Sequence, residues 1–184
     1  MPPDDHGLAA ETYARVDLGA LGRNLTALRR HADGRLVLLP VKANAYGHGL
    51  VAVAKAAVEH GWADWLGVAT VAEGVTLRAA GVTAPILKLS GAPPAAVAAA
   101  VAHGLTLTVS TRAEADAAET AAAAQGRRAA VHLKIDTGMR RIGVEPAGAA
   151  DLAAHLARQP HLDLDGVFTH LAAADDPAAD GFTA

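Results

Sequence analysis

Residues 105–124, Leu-Thr-Leu-Thr-Val-Ser-Thr-Arg-Ala-Glu-Ala-Asp-Ala-Ala-Glu-Thr-Ala-Ala-Ala-Ala, hold one complete unit of the fold. Residues 105–110 alternate leucine or valine with threonine and serine, a pattern that suits a pleated surface and predicts a strand. Ser110-Thr111-Arg112-Ala113-Glu114 then offers a polar start with an acid in the first turn, which satisfies free amides and complements the helix dipole. An alanine-rich helix over 112–124 follows.

The same alternation runs outward from this unit in both directions. Strands are expected at 14–18, 36–41, 65–70, 85–89, 105–110, 130–136 and 164–170. Helices are expected at 21–31, 50–60, 72–80, 93–103, 112–124 and 147–159. Glycine closes several of them, as in His60-Gly61, Ala80-Gly81 and His103-Gly104. Strands joined by helices are parallel and buried on both faces, in keeping with the unbroken apolar run Leu36-Val37-Leu38-Leu39. The expected class is α/β, and the alternation alone fits either a doubly wound sheet or a barrel. No interdomain linker interrupts it.

The chain has 184 residues, 52% apolar and 19% charged, with nine prolines, eighteen glycines and no cysteine, the profile of a globular protein able to bury a core. Alanine supplies about a quarter of the residues and aromatics only 3%, so much of the apolar fraction is small and helix-favouring. A net charge of -3 with both signs scattered gives no electrostatic footprint for nucleic acid and no basic stripe for an anionic membrane, so neither partner is expected. The lack of cysteine excludes a disulfide framework, a thiolate zinc site and a cysteine nucleophile. The start MPPDDHG lacks the basic and apolar regions of a signal peptide, which points to the cytoplasm. Apolar runs such as 92–102 are broken by proline or reach His103 and Gly104 too soon to span a bilayer. The tail 172–184 starts like another loop and helix and stops without a cap, so the chain reads as cut short.

Three segments could carry chemistry, each where a strand gives way to a loop, the place where α/β enzymes set their reacting groups. The first is Val41-Lys42-Ala43-Asn44-Ala45-Tyr46-Gly47-His48-Gly49. A lysine walled by apolar neighbours has its ammonium destabilised by desolvation, which frees the amine for a Schiff base with an aldehyde or ketone. The plain alternative is that Lys42 simply reaches solvent where the strand emerges. The second is Lys134-Ile135-Asp136-Thr137-Gly138-Met139-Arg140-Arg141-Ile142-Gly143. Arginine forks suit phosphate or phenolate oxygens, although most adjacent arginine pairs are solvated surface charges, the state expected of Arg140. The Asp136-Thr137-Gly138 triplet matches that of the aspartic proteases but stands once in a helix-rich chain, with no second copy to supply the partner carboxylate, and is set aside. The third is Gly166-Val167-Phe168-Thr169-His170, just before the acidic turn Asp175-Asp176-Pro177. A lone histidine at a strand end is more often structural than catalytic, and the other eight show no metal-ligand spacing, so no metal site is expected.

Taken together, in this order and spacing, the three segments resemble the alanine racemase family. Val16-Asp17-Leu18 with Leu21 and Arg23-Asn24, Leu77-Arg78-Ala79-Ala80-Gly81, and Pro85-Ile86-Leu87 extend the resemblance over almost the whole chain. It implies pyridoxal 5'-phosphate held as an internal aldimine on Lys42 and interconversion of L- and D-alanine for cell-wall synthesis. It also implies a (β/α)₈ TIM-type barrel followed by a β domain, in a homodimer. Residues 1–18 would form the segment that joins the β domain, and residues 19–184 a partial cofactor-binding barrel.

The resemblance casts Lys42 as the catalytic base on one substrate face, with a tyrosine from the second subunit on the other. It casts Tyr46 as a contact to the cofactor phosphate, Arg141 as a contact to its phenolic oxygen and to substrate, and His170 as a neighbour of the pyridine ring. Leu87 and Leu89 would line that ring. Lys134 matches a lysine that is carbamylated in some members and steadies the arginine represented here by Arg141. Arg140 stands where the family usually carries a small residue. An ordinary barrel needs about 250 residues, so about six of its eight β/α units are expected here. The arginine opposite the pyridine nitrogen, the serine and other phosphate contacts and the opposite-face tyrosine would then be absent, with little or no racemisation by this chain alone. Two other readings stay open. One is a non-catalytic cofactor-binding barrel module, which the continuation Ala43-Asn44-Ala45-Tyr46-Gly47-His48-Gly49 argues against. The other is a racemase of the same fold acting on serine, lysine or another amino acid.

Overall fold

The structure is a computed structural model and describes residues 13–183. Six strands, β1 (Leu38–Pro40), β2 (Trp65–Val68), β3 (Ile86–Lys88), β4 (Thr106–Val109), β5 (Ala129–Lys134) and β6 (Leu162–Phe168), form one sheet. Every pairing is parallel, and the strands lie in sequence order. A doubly wound sheet reverses its strand order at a switch point. Strict sequential order is the winding of a barrel, so the sheet is a (β/α)₈ barrel left open after six of its eight strands, with β1 and β6 at the edges. The helices are α1 (Leu18–His31), the short α2 (Lys42–Tyr46), α3 (Leu50–Glu59), α4 (Val71–Ala79), α5 (Pro94–Ala102), α6 (Arg112–Ala124), α7 (Pro146–Ala157) and the terminal turn α8 (Asp180–Thr183).

Leu66, Val68, Ile86, Leu107, Val109, Val131 and Leu133 of the strands are buried in one cluster with Leu77, Val97, Ala118, Leu152 and Leu156 of the helices. Alanine on the helix faces lets the helices lie close to the sheet. Thr70 and Glu73 form a full capping box at α4, as do Thr111 and Glu114 at α6, while α5 and α7 open on Pro94 and Pro146. Proline there forfeits no helical bond, because first-turn amides have no partner within the helix. At the amino-terminal rim of the sheet, Arg29 grips Asp64 with two bonds of 2.7 and 2.9 Å, and Val37 N–H donates to the same carboxylate at 2.8 Å.

One expected strand is not formed. Tyr13 to Asp17 make no ladder, and Leu18 already belongs to α1. The Asp17 carboxylate instead accepts from Ala20 N–H at 3.0 Å and caps that helix, since a strand needs a paired neighbour whereas a cap forms locally. Of the expected segment 1–18, residues 1–12 lie outside the described residues. The strands at 36–41 and 85–89 are shorter than expected, and Asp136 and His170 fall in loops beyond β5 and β6. Among the described residues, no helix is long and apolar enough to cross a membrane.

Candidate active site

The carboxyl-terminal ends of the parallel strands share one rim, and the chain leaves each strand there as a loop. These loops frame an open cleft of about 440 Å³. Lys42, Tyr46, Leu89, Lys134, Arg141 and His170 all line it, together with Pro40 and Phe168. Six of the seven side chains singled out from the sequence thus come from the carboxyl-terminal ends of four strands and the loops that follow them to one place. Leu87 does not reach the cleft. It is paired with Gly67 below the rim and is 3% exposed.

The lysine loop has an unusual backbone. Ala43, Asn44, Ala45 and Tyr46 take φ values of 52–55°, a single turn of left-handed sense closed by Gly47 at φ 88°. For residues with a Cβ such a turn costs roughly 1–2 kcal/mol each, so several bonds must hold it. Ala45 N–H donates to Val41 O at 2.7 Å, Gly49 N–H to Asn44 O at 2.9 Å, and Leu50 N–H to Asn44 Oδ1 at 2.8 Å. The last bond starts α3 and ties the turn to it. The reversal presents Lys42 to the cleft and leaves Tyr46 60% exposed at its mouth.

Across the cleft, Lys134 ends β5 only 3% exposed, its Nζ 4.9 Å from the centre of the Phe168 ring. Burial pushes its pKa down, the Arg141 charge pushes it further, and Asp136 partly opposes both. The loop that follows is folded back on itself. Asp136 N–H donates to Val144 O and Val144 N–H to Lys134 O, each at 2.9 Å. Asp136 Oδ1 accepts from Gly138 and Arg140 N–H. This fold separates the two arginines: Arg141 lines the cleft, whereas Arg140 lines a different cavity beside Asp136 and Glu145.

Two charged side chains that bond to the loops framing the cleft do not stand out in the sequence. Lys88 at the end of β3 is 3% exposed and donates at 2.7 Å to both Ser90 Oγ and Gly91 O. Glu73, the acid of a capping box, also accepts from Ala43 N–H, next to Lys42. A capping pattern such as Thr70-Val71-Ala72-Glu73 is readable in sequence, but a second bond across 30 residues is not.

A family model described as "Alanine racemase, N-terminal domain" matches residues 16–184. An alanine racemase of Symbiobacterium thermophilum is 49% identical over 166 residues, covering 90% of this chain and 44% of that protein. The chain thus spans less than half the length of this curated relative. Among solved structures, an alanine racemase of Clostridium difficile in complex with cycloserine superposes with a TM-score of 0.89 at 36% identity, covering 95% of this chain and 48% of that one. A histidine racemase of Leuconostoc mesenteroides gives 0.83 at 30% identity, covering 90% and 45%.

Proposed function

This chain belongs to the alanine racemase family through its amino-terminal barrel domain, and from that premise we propose that it is the cofactor-holding part of a pyridoxal 5'-phosphate-dependent racemase interconverting L- and D-alanine. One observation carries the reading: a lysine on a strained turn faces Arg141, His170 and Tyr46 around a single cleft.

The donors in the cleft suit a flat, anionic aldehyde. Lys42 offers the amine, the Tyr46 hydroxyl a phosphate contact, Arg141 a fork for the phenolate oxygen, and Leu89 with His170 the walls of the ring. When bound, the cofactor supplies an electron sink that lets the substrate Cα–H bond ionise. Lys42 then takes the proton from Cα on one face and returns it there in the reverse direction. A tyrosine of a second subunit serves the other face, so the working form is a homodimer of the longer protein, and residues 1–18 join its β domain. Lys134, with its depressed pKa, adds to carbon dioxide with loss of a proton. The carbamate replaces a cation beside Arg141 with an anion and holds the guanidinium in place.

The likeness to the Leuconostoc histidine racemase favours a second reading, in which the same barrel serves a different side chain. One experiment tests both: incubation with pyridoxal 5'-phosphate, borohydride reduction and peptide mapping by mass spectrometry, with Lys42→Ala as control. Label confined to Lys42 and absent from the control is expected. Label scattered over all lysines overturns the proposal. Prior addition of L-alanine should lower the Lys42 label more than L-histidine does, and the reverse order selects the second reading.

A further inference from the structure

We propose that Glu73 is a positioning residue for Lys42, its carboxylate clamping the peptide N–H that follows the lysine and so holding the left-handed turn that presents the amine to the cleft. The inference rests on the reading of Lys42 as the reacting amine.

Glu73 stands in the first turn of α4, where a capping glutamate needs only one oxygen to bond back to the start of its helix. Its Oε2 does this, accepting from Ala69 N–H at 2.9 Å and Thr70 N–H at 3.0 Å. Oε1 reaches out of the unit and accepts from Ala43 N–H at 2.6 Å. One ionised side chain therefore ties the end of β1 to the end of β2, at the first residue of the strained turn. Burial works against ionisation, but the N–H groups of Thr70, Ala69 and Ala43 outweigh it and keep the carboxyl below its ordinary pKa. The buried ammonium of Lys88 adds an attractive charge nearby.

The fold contains its own control. Glu114 occupies the same place in α6, with the same capping box to Thr111. Its bonds, from Ser110 N–H at 2.7 Å, Thr111 N–H at 3.0 Å and Ser110 Oγ at 2.9 Å, all stay within its own loop. A purely structural cap predicts equal behaviour of the two glutamates. A clamp on the lysine turn predicts a difference.

The test compares Glu73→Gln with Glu114→Gln in the whole chain, reading amide hydrogen exchange over residues 43–47 and borohydride-trapped pyridoxal 5'-phosphate on Lys42, with thermal midpoints recorded for both. Glutamine keeps one acceptor oxygen and cannot serve both the helix cap and Ala43. The expected result is exchange at 43–47 about tenfold faster and Lys42 label about tenfold lower in Glu73→Gln, as for the loss of a charge-assisted hydrogen bond, with Glu114→Gln matching the parent in both. Equal exchange in the two variants overturns the proposal. Should Glu73→Gln fail to fold, Glu73→Asp keeps the charge and falls one methylene short of Ala43, and the same two outcomes decide. Absence of Lys42 label in the parent chain would sink the functional reading instead, while the exchange comparison still decides whether the clamp exists.

Discussion

Thr137 and Thr169 meet hydroxyl to hydroxyl at 2.7 Å, joining the loop that carries Arg141 to the loop that carries His170. Thr169 gives its single proton to Ile135 O at 2.8 Å, so Thr137 is the donor to Thr169. The resulting chain of three polar groups closes one side of the cleft, between the ends of β5 and β6.

Thr169→Val removes both bonds at nearly constant volume. At such an exposed position the loss should be about 1 kcal/mol, seen as a lower urea midpoint with an unchanged slope. Faster amide exchange around residues 136–142 should accompany it. A variant that unfolds with the parent and exchanges at the same rate would show that the hydroxyls do not couple the loops.

Gly143 closes the arginine loop at φ 134°, and a Cβ there would lie 2.5 Å from Asp136 N and 2.8 Å from Ile135 C. Both neighbours are backbone, so neither can swing aside. Gly143→Ala should cost about 3 kcal/mol or more, and should lower the Lys42 label by displacing Arg141. Full stability with normal labelling would show that the loop relaxes.

In buffer stripped of carbon dioxide, where Lys134 carries no carbamate, its amine sets a pH dependence. Burial, followed by the Arg141 charge, lowers its pKa in the folded chain, whereas in the unfolded chain it titrates near 10.4. As pH rises, the folded state releases this proton first, so the unfolded state binds more protons and stability climbs with pH between the folded value and about 10.4. Below the folded value the full cost of the buried ammonium is present. Lys134→Met should therefore raise the unfolding midpoint at pH 7 and flatten the alkaline rise. Arg141→Ala should shrink that rise, and Arg140→Ala should leave it unchanged. Urea titrations from pH 7 to 10 distinguish these outcomes, and identical profiles for the parent and Lys134→Met would refute the assignment.

The repeating units were legible because their signals are local. Capping at Thr111 and Glu114, glycine after His60, Ala80 and His103, and the runs of alanine act within a few residues of the chain. The expected helices over 50–60, 93–103 and 112–124 accordingly fall within a residue of α3, α5 and α6. Residues 14–18 were misread because extended composition does not supply a neighbouring strand. Lys88 was missed because a lysine in sequence is expected at the surface, and only Ser90, Gly91 and the surrounding core make its burial tolerable.

By itself, then, the sequence determined the alternation of strand and helix, the ends of most helices, and the three segments that bear Lys42, Lys134 with Arg141, and His170. These follow from periodicity and from side chains that bond to their own backbone. The tertiary structure decided the order of strands, and with it the barrel rather than the doubly wound sheet. It also decided that Arg141 and not Arg140 faces the cleft, and that Ala43 to Tyr46 turn left-handed. Nothing local favours four successive positive φ angles before a glycine. The bonds that Val41, Asn44 and Leu50 make within the loop offset part of its strain, and the bond from Ala43 N–H to Glu73, 30 residues away, is added only by the tertiary fold.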